Sequence, residues 1–467
     1  MQALDVFPKA TRTPWPQANP RYPQGMPPAV REIPWDEQVD FSVHLLARYH
    51  LTERLFQPFA HLQAMAYPGL AEVSDETFAE LFSERLFSKF LNSTLDEGDR
   101  ARFQAYRYYP GTLYKVDFTP MASMERLGGM YAAATTTLFG QNGDGRLHPL
   151  AIQLDGLLLE PSDGHAWELA KYFVLNGAAC LTITGVHALL HFPMDSVNAL
   201  TKSLLPSGHL LARLLMPHLR FSLMLDRTVL EHPRTLLDND QRECYTPFAG
   251  TAAGVRGLIR DAYQGLPGNS SYPAYRFPRR PPELPSAFGA QLQDYYACML
   301  EFVRPVVAHL QAGDPGVTTW AHELSQWLPG FPDGAEIWEG DTLAETVASI
   351  LCDVTVMHAA DHYDLSRIPL DVLPLRLRLP PPTTKEHPPF DRRALTTHDD
   401  RFRHAMAHEL FVRPHPLTRL ATVDYRFDDP ELYRLNCQFL ADLADVDARW
   451  SGRGLIPLDQ IPCSIQY

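Results

Sequence analysis

The sequence predicts a mainly α protein, built as a single large helical domain with a small β-hairpin region. Three observations carry that reading. Long stretches repeat apolar residues at helical spacing. One short region, residues 130–155, alternates in the manner of strands. After residue 40 no composition shift or internal repeat divides the chain. With 467 residues, 45% of them hydrophobic and 21% charged, the chain has ample apolar material for a large core.

Residues 1–36 are rich in proline and aperiodic, which predicts an extended arm lying over a larger body. The expected division is therefore an arm over residues 1–40 and a catalytic-sized domain over 41–467. From residue 36 to about 91 the pattern turns helical, as in FSVHLLARYHLTERLFQPFAHLQ. The runs TTTLF and LHPLAIQL, joined by a Gly- and Asp-rich turn at residues 142–145, predict a hairpin. A long helical stretch follows from about 166 to 230, with breaks expected near Pro206 and Pro217. Residues 264–285 read as a loop. Helices resume in QLQDYYACMLEFVRPVVAHL and in DTLAETVASILCDVTVMHAADHYD. LPPPTTKEHPP is extended, and a helix near 430–450 precedes the tail GLIPLDQIPCSIQY.

Composition excludes several classes of function. The net charge is −14 and the Lys and Arg residues are scattered, so no basic stripe addresses a nucleic acid. The N-terminus lacks an apolar core, so no secretory signal is expected. No run approaches the roughly 18 apolar residues of a membrane span, so no transmembrane segment is expected. Cys180, Cys244, Cys298, Cys352, Cys437 and Cys463 form no CxxC pair, which argues against a zinc ribbon or redox motif and points to a reduced, cytoplasmic setting.

The chemistry lies in the histidines. Among 19 of them, three pairs have the spacing His-x-x-x-His: His187/His191, His358/His362 and His404/His408. With so many histidines one such pair is an ordinary coincidence, so context must decide. Helix positions four apart share a face, and two imidazoles there can converge on one ion at about 2.1 Å. His187/His191 sit within CLTITGVHALLHF and His358/His362 within SILCDVTVMHAADHYD, both apolar enough to be buried. A buried imidazole needs a partner, and one shared metal serves all four. His404/His408, with charged flanks in RFRHAMAHEL, read as a solvated helix face. No His-Glu-x-x-His occurs, so a zinc protease is not indicated.

From about residue 105 onward these features resemble the catalytic domain of the lipoxygenases. LFGQNGDGRLHPLAIQL is similar to the family's strand pair, AWELAKYFV to the start of its first metal helix, and SLLPSGHLLARLLMPHLRF to the stretch ending in its Pro-His pair. DVTVMHAADH resembles the second metal helix, RLPPPTTK the proline-rich loop after it, and IPCSIQY the family's C-terminus. All six stand in the family's order. The resemblance implies one non-haem iron per chain, with manganese possible, held by His187, His191, His358, His362 and the terminal carboxylate of Tyr467. The catalytic group it implies is the hydroxide on that metal rather than a side chain. The implied reaction inserts dioxygen into a polyunsaturated fatty acid or similar lipid to give a hydroperoxide; the alternative is a polyene or small metabolite in specialised biosynthesis. Leu189, Leu190, Leu223, Leu225 and Val229 are the expected lining of an apolar substrate pocket, and Val229 falls at the family's stereocontrol position.

The chain also departs from the family. HALLH leaves three residues between the first two histidines where the family usually has four on a widened helix, so a regular α-helix is expected to present the pair. Thr182 and Ile183 stand where the family often has His and Gln, and Tyr467 where it has Ile. No segment resembles the family's N-terminal β-barrel module.

Overall fold

The computed structural model describes residues 15–17, 24–30, 32–143, 145–231, 247–278 and 280–466. Within these, the fold is a helical body with one small sheet. Two short strands, β1 (Pro16–Gln17) and β2 (Ala29–Val30), pair antiparallel within the N-terminal segment. The expected hairpin forms as β4 (Thr135–Gln141) and β5 (Leu147–Leu154), closed by the Gly145 N–H donating to the Asn142 carbonyl. It is the middle of a four-stranded antiparallel sheet, flanked by β3 (Thr112–Asp117) and β6 (Leu157–Leu159). The register slips between Leu138 and Phe139, where Pro149, which has no N–H for the ladder, faces Phe139.

Helix starts follow local chemistry. Ser74, Thr251 and Ser286 accept a backbone N–H from the first turn of their helices, and Thr397 forms a reciprocal capping box with Asp400. Asp314 and Asp429 cap helices whose first residue is proline. Two helices are apolar all round and form the centre: His165–Leu204 and Thr342–Ser366. By length and composition alone either could cross a membrane, which corrects the expectation that no stretch reaches that length. Their most apolar windows are 83% and 94% buried inside the fold, so here they are core helices. Ala287–Val307 packs against Thr342–Cys352 on one side and Pro430–Trp450 on the other. Gly177 lets the first central helix approach the sheet end closely, since a Cβ there would lie 2.9 Å from that of Phe118.

Neither central helix is regular throughout. Thr182–His187 and Asp353–Met357 are π turns, the first ending on His187 and the second ending just before His358. This corrects the expectation of an unbroken α-helix at His187. In each wide turn a threonine hydroxyl donates four residues back, Thr184 to the Cys180 carbonyl at 2.8 Å and Thr355 to that of Leu351 at 2.5 Å. The side chains thus help satisfy carbonyls that a widened turn leaves poorly paired.

Candidate metal centre

The two central helices bring His187, His191, His358 and His362 together, with one ring nitrogen from each lying within 4.8 Å of the others. The Nε2 atoms of His187 and His191 are 3.0 Å apart, and the rings of His358 and His362 stand 4.8 and 4.5 Å from that of His187. Ligands around one ion at about 2.1 Å sit roughly 3.0 to 4.2 Å apart. Shifts of a few tenths of an ångström would therefore close the set on a metal. His187, His191 and His358 are buried and His362 is half-buried.

Burial also fixes the protonation state. It holds His187 well below its ordinary pKa and brings both His191 and His362 down to about 3. All three are neutral at pH 7, the form that ligates. The outer nitrogens are oriented by the surroundings. His187 Nδ1 lies 3.3 Å from an Asp361 carboxylate oxygen, His191 Nδ1 lies 2.8 Å from Asp226, and His362 Nδ1 is 3.0 Å from the Val412 carbonyl. With Nδ1–H donating to these acceptors, Nε2 is the nitrogen whose lone pair would face a metal.

The acceptors are themselves held. Lys89 pairs with the other oxygen of Asp361, and both side chains are almost wholly buried. Burial pushes the Asp226 carboxyl up to about 8 and Asp195 well above its usual range. Their like charges, shut away from water beside each other, oppose ionisation of both, while Asp226 Oδ1 meets His191 Nδ1. Sequence reading missed Asp361, Asp226, Lys89 and Asp195. Asp361 adjoins His362 and could have been suspected; Asp226, in MLDRT, carries no local signal.

An apolar cavity opens beside the histidines. His187, His191 and His362 face it with Thr182, Ile183, Phe192, Leu225, Val229 and Ile259. Of the expected lining, Leu225 and Val229 are there. Leu189 and Leu190 are not, because they lie on other sides of the helix from His187 and His191. Leu223 turns away to pack with Val30 and Ile33. Tyr467 lies outside the described residues. The segment before it, 461–466, is buried throughout. His218 grips the Cys463 carbonyl at 2.7 Å and His44 that of Gln466 at 3.0 Å. His404 and His408 are half-buried rather than solvated, as their helix packs on Thr52–Ala66 and His408 bonds the Ser366 carbonyl.

Four imidazoles on two central helices, three of them held neutral by burial, backed by carboxylates and opening on an apolar cavity, form a site that could hold a non-haem metal ion. No family model matches the chain. Among curated proteins it is 26% identical over 306 residues to polyunsaturated fatty acid lipoxygenase ALOX15 of Homo sapiens, covering 59% of this chain and 45% of that one. It is 28% identical over 318 residues to polyunsaturated fatty acid lipoxygenase ALOX15B of Rattus norvegicus, covering 59% and 44%. The chain thus matches under half the length of these relatives. Among solved structures it is similar to a calcium-dependent 11R-lipoxygenase, with a TM-score of 0.76 at 15% identity over 97% of this chain and 79% of that one. It is also similar to a manganese lipoxygenase, with a TM-score of 0.73 at 16% identity over 97% and 96%. In sequence and in fold the chain is thus similar to the catalytic domains of lipoxygenases.

Proposed function

We propose that this domain is a non-haem metal dioxygenase that adds O2 to a polyunsaturated fatty acid or similar lipid to give a hydroperoxide. The observation that carries the reading is a four-histidine cluster opening directly onto an apolar cavity. Iron is the metal we assign; manganese suits the same nitrogen and oxygen donors. Bound there, such a metal supplies one-electron oxidation of an activated C–H bond, after which O2 can add to the carbon radical.

The chain's own residues do the rest. Asp361 and Asp226 hold His187 and His191 in the tautomer that ligates. Leu225, Val229, Ile259 and Phe192 exclude water and offer an apolar chain nothing but dispersion contacts, so shape rather than hydrogen bonding sets its depth. The resemblance adds the α-carboxylate of Tyr467 as a fifth ligand, and the buried course of residues 461–466 supports it.

The cavity's free volume, about 70 Å3 for the centres of water-sized molecules, holds a few waters or a short stretch of chain. That favours a second reading, a polyene or small metabolite as substrate. Oxygen uptake and conjugated-diene absorbance, measured with linoleate and with a shorter polyene on metal-loaded protein, separate the two. No turnover of any diene by protein holding one metal per chain would refute both.

A further inference from the structure

Residues 35–66 form one continuous helical rod: Trp35–Leu45, a π turn Leu46–Leu51, and Thr52–Ala66. Its inner face closes the cavity. Tyr49 stacks on Phe411 at 5.3 Å between ring centroids, and both line the space above the histidines. Arg48 ties this face to the body through the Leu410 and Arg413 carbonyls.

The outer face is apolar and open. Leu51, Leu55, Phe59, Leu62 and Met65 recur every three or four residues and are 54–73% exposed. Val43 and Leu46 extend the stripe toward the N-terminus. Nine of the thirteen exposed large hydrophobic side chains among the described residues fall between Trp35 and Tyr67. Their exposed apolar area is on the order of several hundred Å2, at or above the largest patch a soluble monomer ordinarily leaves uncovered.

We propose that this stripe lays the protein on a lipid bilayer, with the rod in the plane of the interface. The inference rests on the reading above that the substrate is a lipid. Continuity with the cavity selects this occupant. A bilayer covering the outer face would deliver an apolar chain next to Tyr49 and Phe411, which close the cavity, whereas a second copy of the chain would seal that side. Charge decides the kind of surface. Three acids of the rod are engaged, Glu37 with Lys202, Asp40 with Arg220 and Glu53 with His50. Arg54 is the one charged residue among the exposed positions of Thr52–Ala66, and the whole chain carries −14. Attachment is therefore by apolar insertion and not by anionic headgroups.

Flotation with phosphatidylcholine vesicles tests this in the absence of turnover. Wild-type protein should float with the vesicles, and phosphatidylserine should not increase the bound fraction. The variant Leu55→Asp/Phe59→Asp/Leu62→Asp changes only exposed side chains outside the cavity. It should bind at least tenfold less while retaining its metal content and melting temperature. If it does not fold, Leu55→Gln/Leu62→Gln serves the same comparison. Equal flotation of variant and wild type, or no flotation of wild type, overturns the proposal. So does a wild-type dimer on size exclusion that the variant converts to monomer. Oxygen uptake from detergent-dispersed linoleate judges the catalytic reading separately, so either can fail alone.

Discussion

Asp361 serves two purposes, and replacing it with leucine should separate them. One carboxylate oxygen pairs with Lys89 and the other lies 3.3 Å from His187 Nδ1. Both members of the ion pair are shut away from water, at 4% and 2% exposure. Asp361→Leu leaves a buried ammonium without a counter-charge, which costs about 3–5 kcal/mol. That is a large part of the 5–15 kcal/mol that holds a typical domain together. The same change releases the His187 ring, and loss of such a carboxylate behind a metal histidine weakens metal binding by roughly 10–100-fold. The double variant Lys89→Met/Asp361→Leu removes the stranded charge as well. It should return to within about 1 kcal/mol of wild-type stability, since a well-packed apolar pair commonly replaces a buried ion pair without loss. Its metal affinity should stay low, because His187 still has no acceptor. Urea unfolding monitored by circular dichroism reads the first effect, and competition with a calibrated chelator reads the second. A single variant as stable as wild type would refute the buried-charge reasoning. A double variant with full metal affinity would refute the role of Asp361 in orienting His187.

Three further outcomes are expected. His191→Ala and His358→Ala should each reduce bound metal from about one per chain to below roughly one tenth, by atomic absorption after dialysis; full retention in both would show that the ligands lie elsewhere. His218 is buried and its pKa is lowered to about 4. The unfolded chain, at about 6.5, takes up that proton first as pH falls, so stability is full above 6.5 and is lost toward 4, by roughly 3 kcal/mol for this group. Denaturation at pH 7.5 and 4.5 should show a slope of that sign, and His218→Asn should reduce it by this group's share; a slope unchanged in the variant contradicts this. Val229 faces the cavity at the position the resemblance assigns to stereocontrol, so its bulk should favour an S product and Val229→Gly should move oxygen toward the other end of the radical. Chiral chromatography of a mainly R wild-type product would sink that reasoning.

The π turns show how far a one-dimensional pattern reaches. The spacing of His187 and His191 indicated a shared helical face, and that pair does converge. Nothing local in TITGV or DVTVM announced that the backbone widens at or just before each pair, since a π turn is stabilised by what packs against it rather than by propensity. The apolar residues divide the same way. Leu189, Leu190, Leu223, Leu225 and Val229 have equivalent character in the sequence, yet two of the five face the cavity. Hydrophobicity commits a residue to burial without saying against what.

What the sequence by itself determined is therefore whatever depends on periodicity and residue type. That includes a helical body, a hairpin with its turn, two buried histidine pairs, and the segments whose order resembles the lipoxygenases. What only the tertiary structure decided is whatever depends on residues far apart in the chain. Asp226 reaches His191 across 35 positions, Asp361 reaches His187 across 174, and Lys89 joins Asp361 across 272. Tyr49 meets Phe411 over the cavity from opposite ends of the chain. Such pairings are set by how helices pack, and packing is a property of the whole core rather than of any window along the sequence.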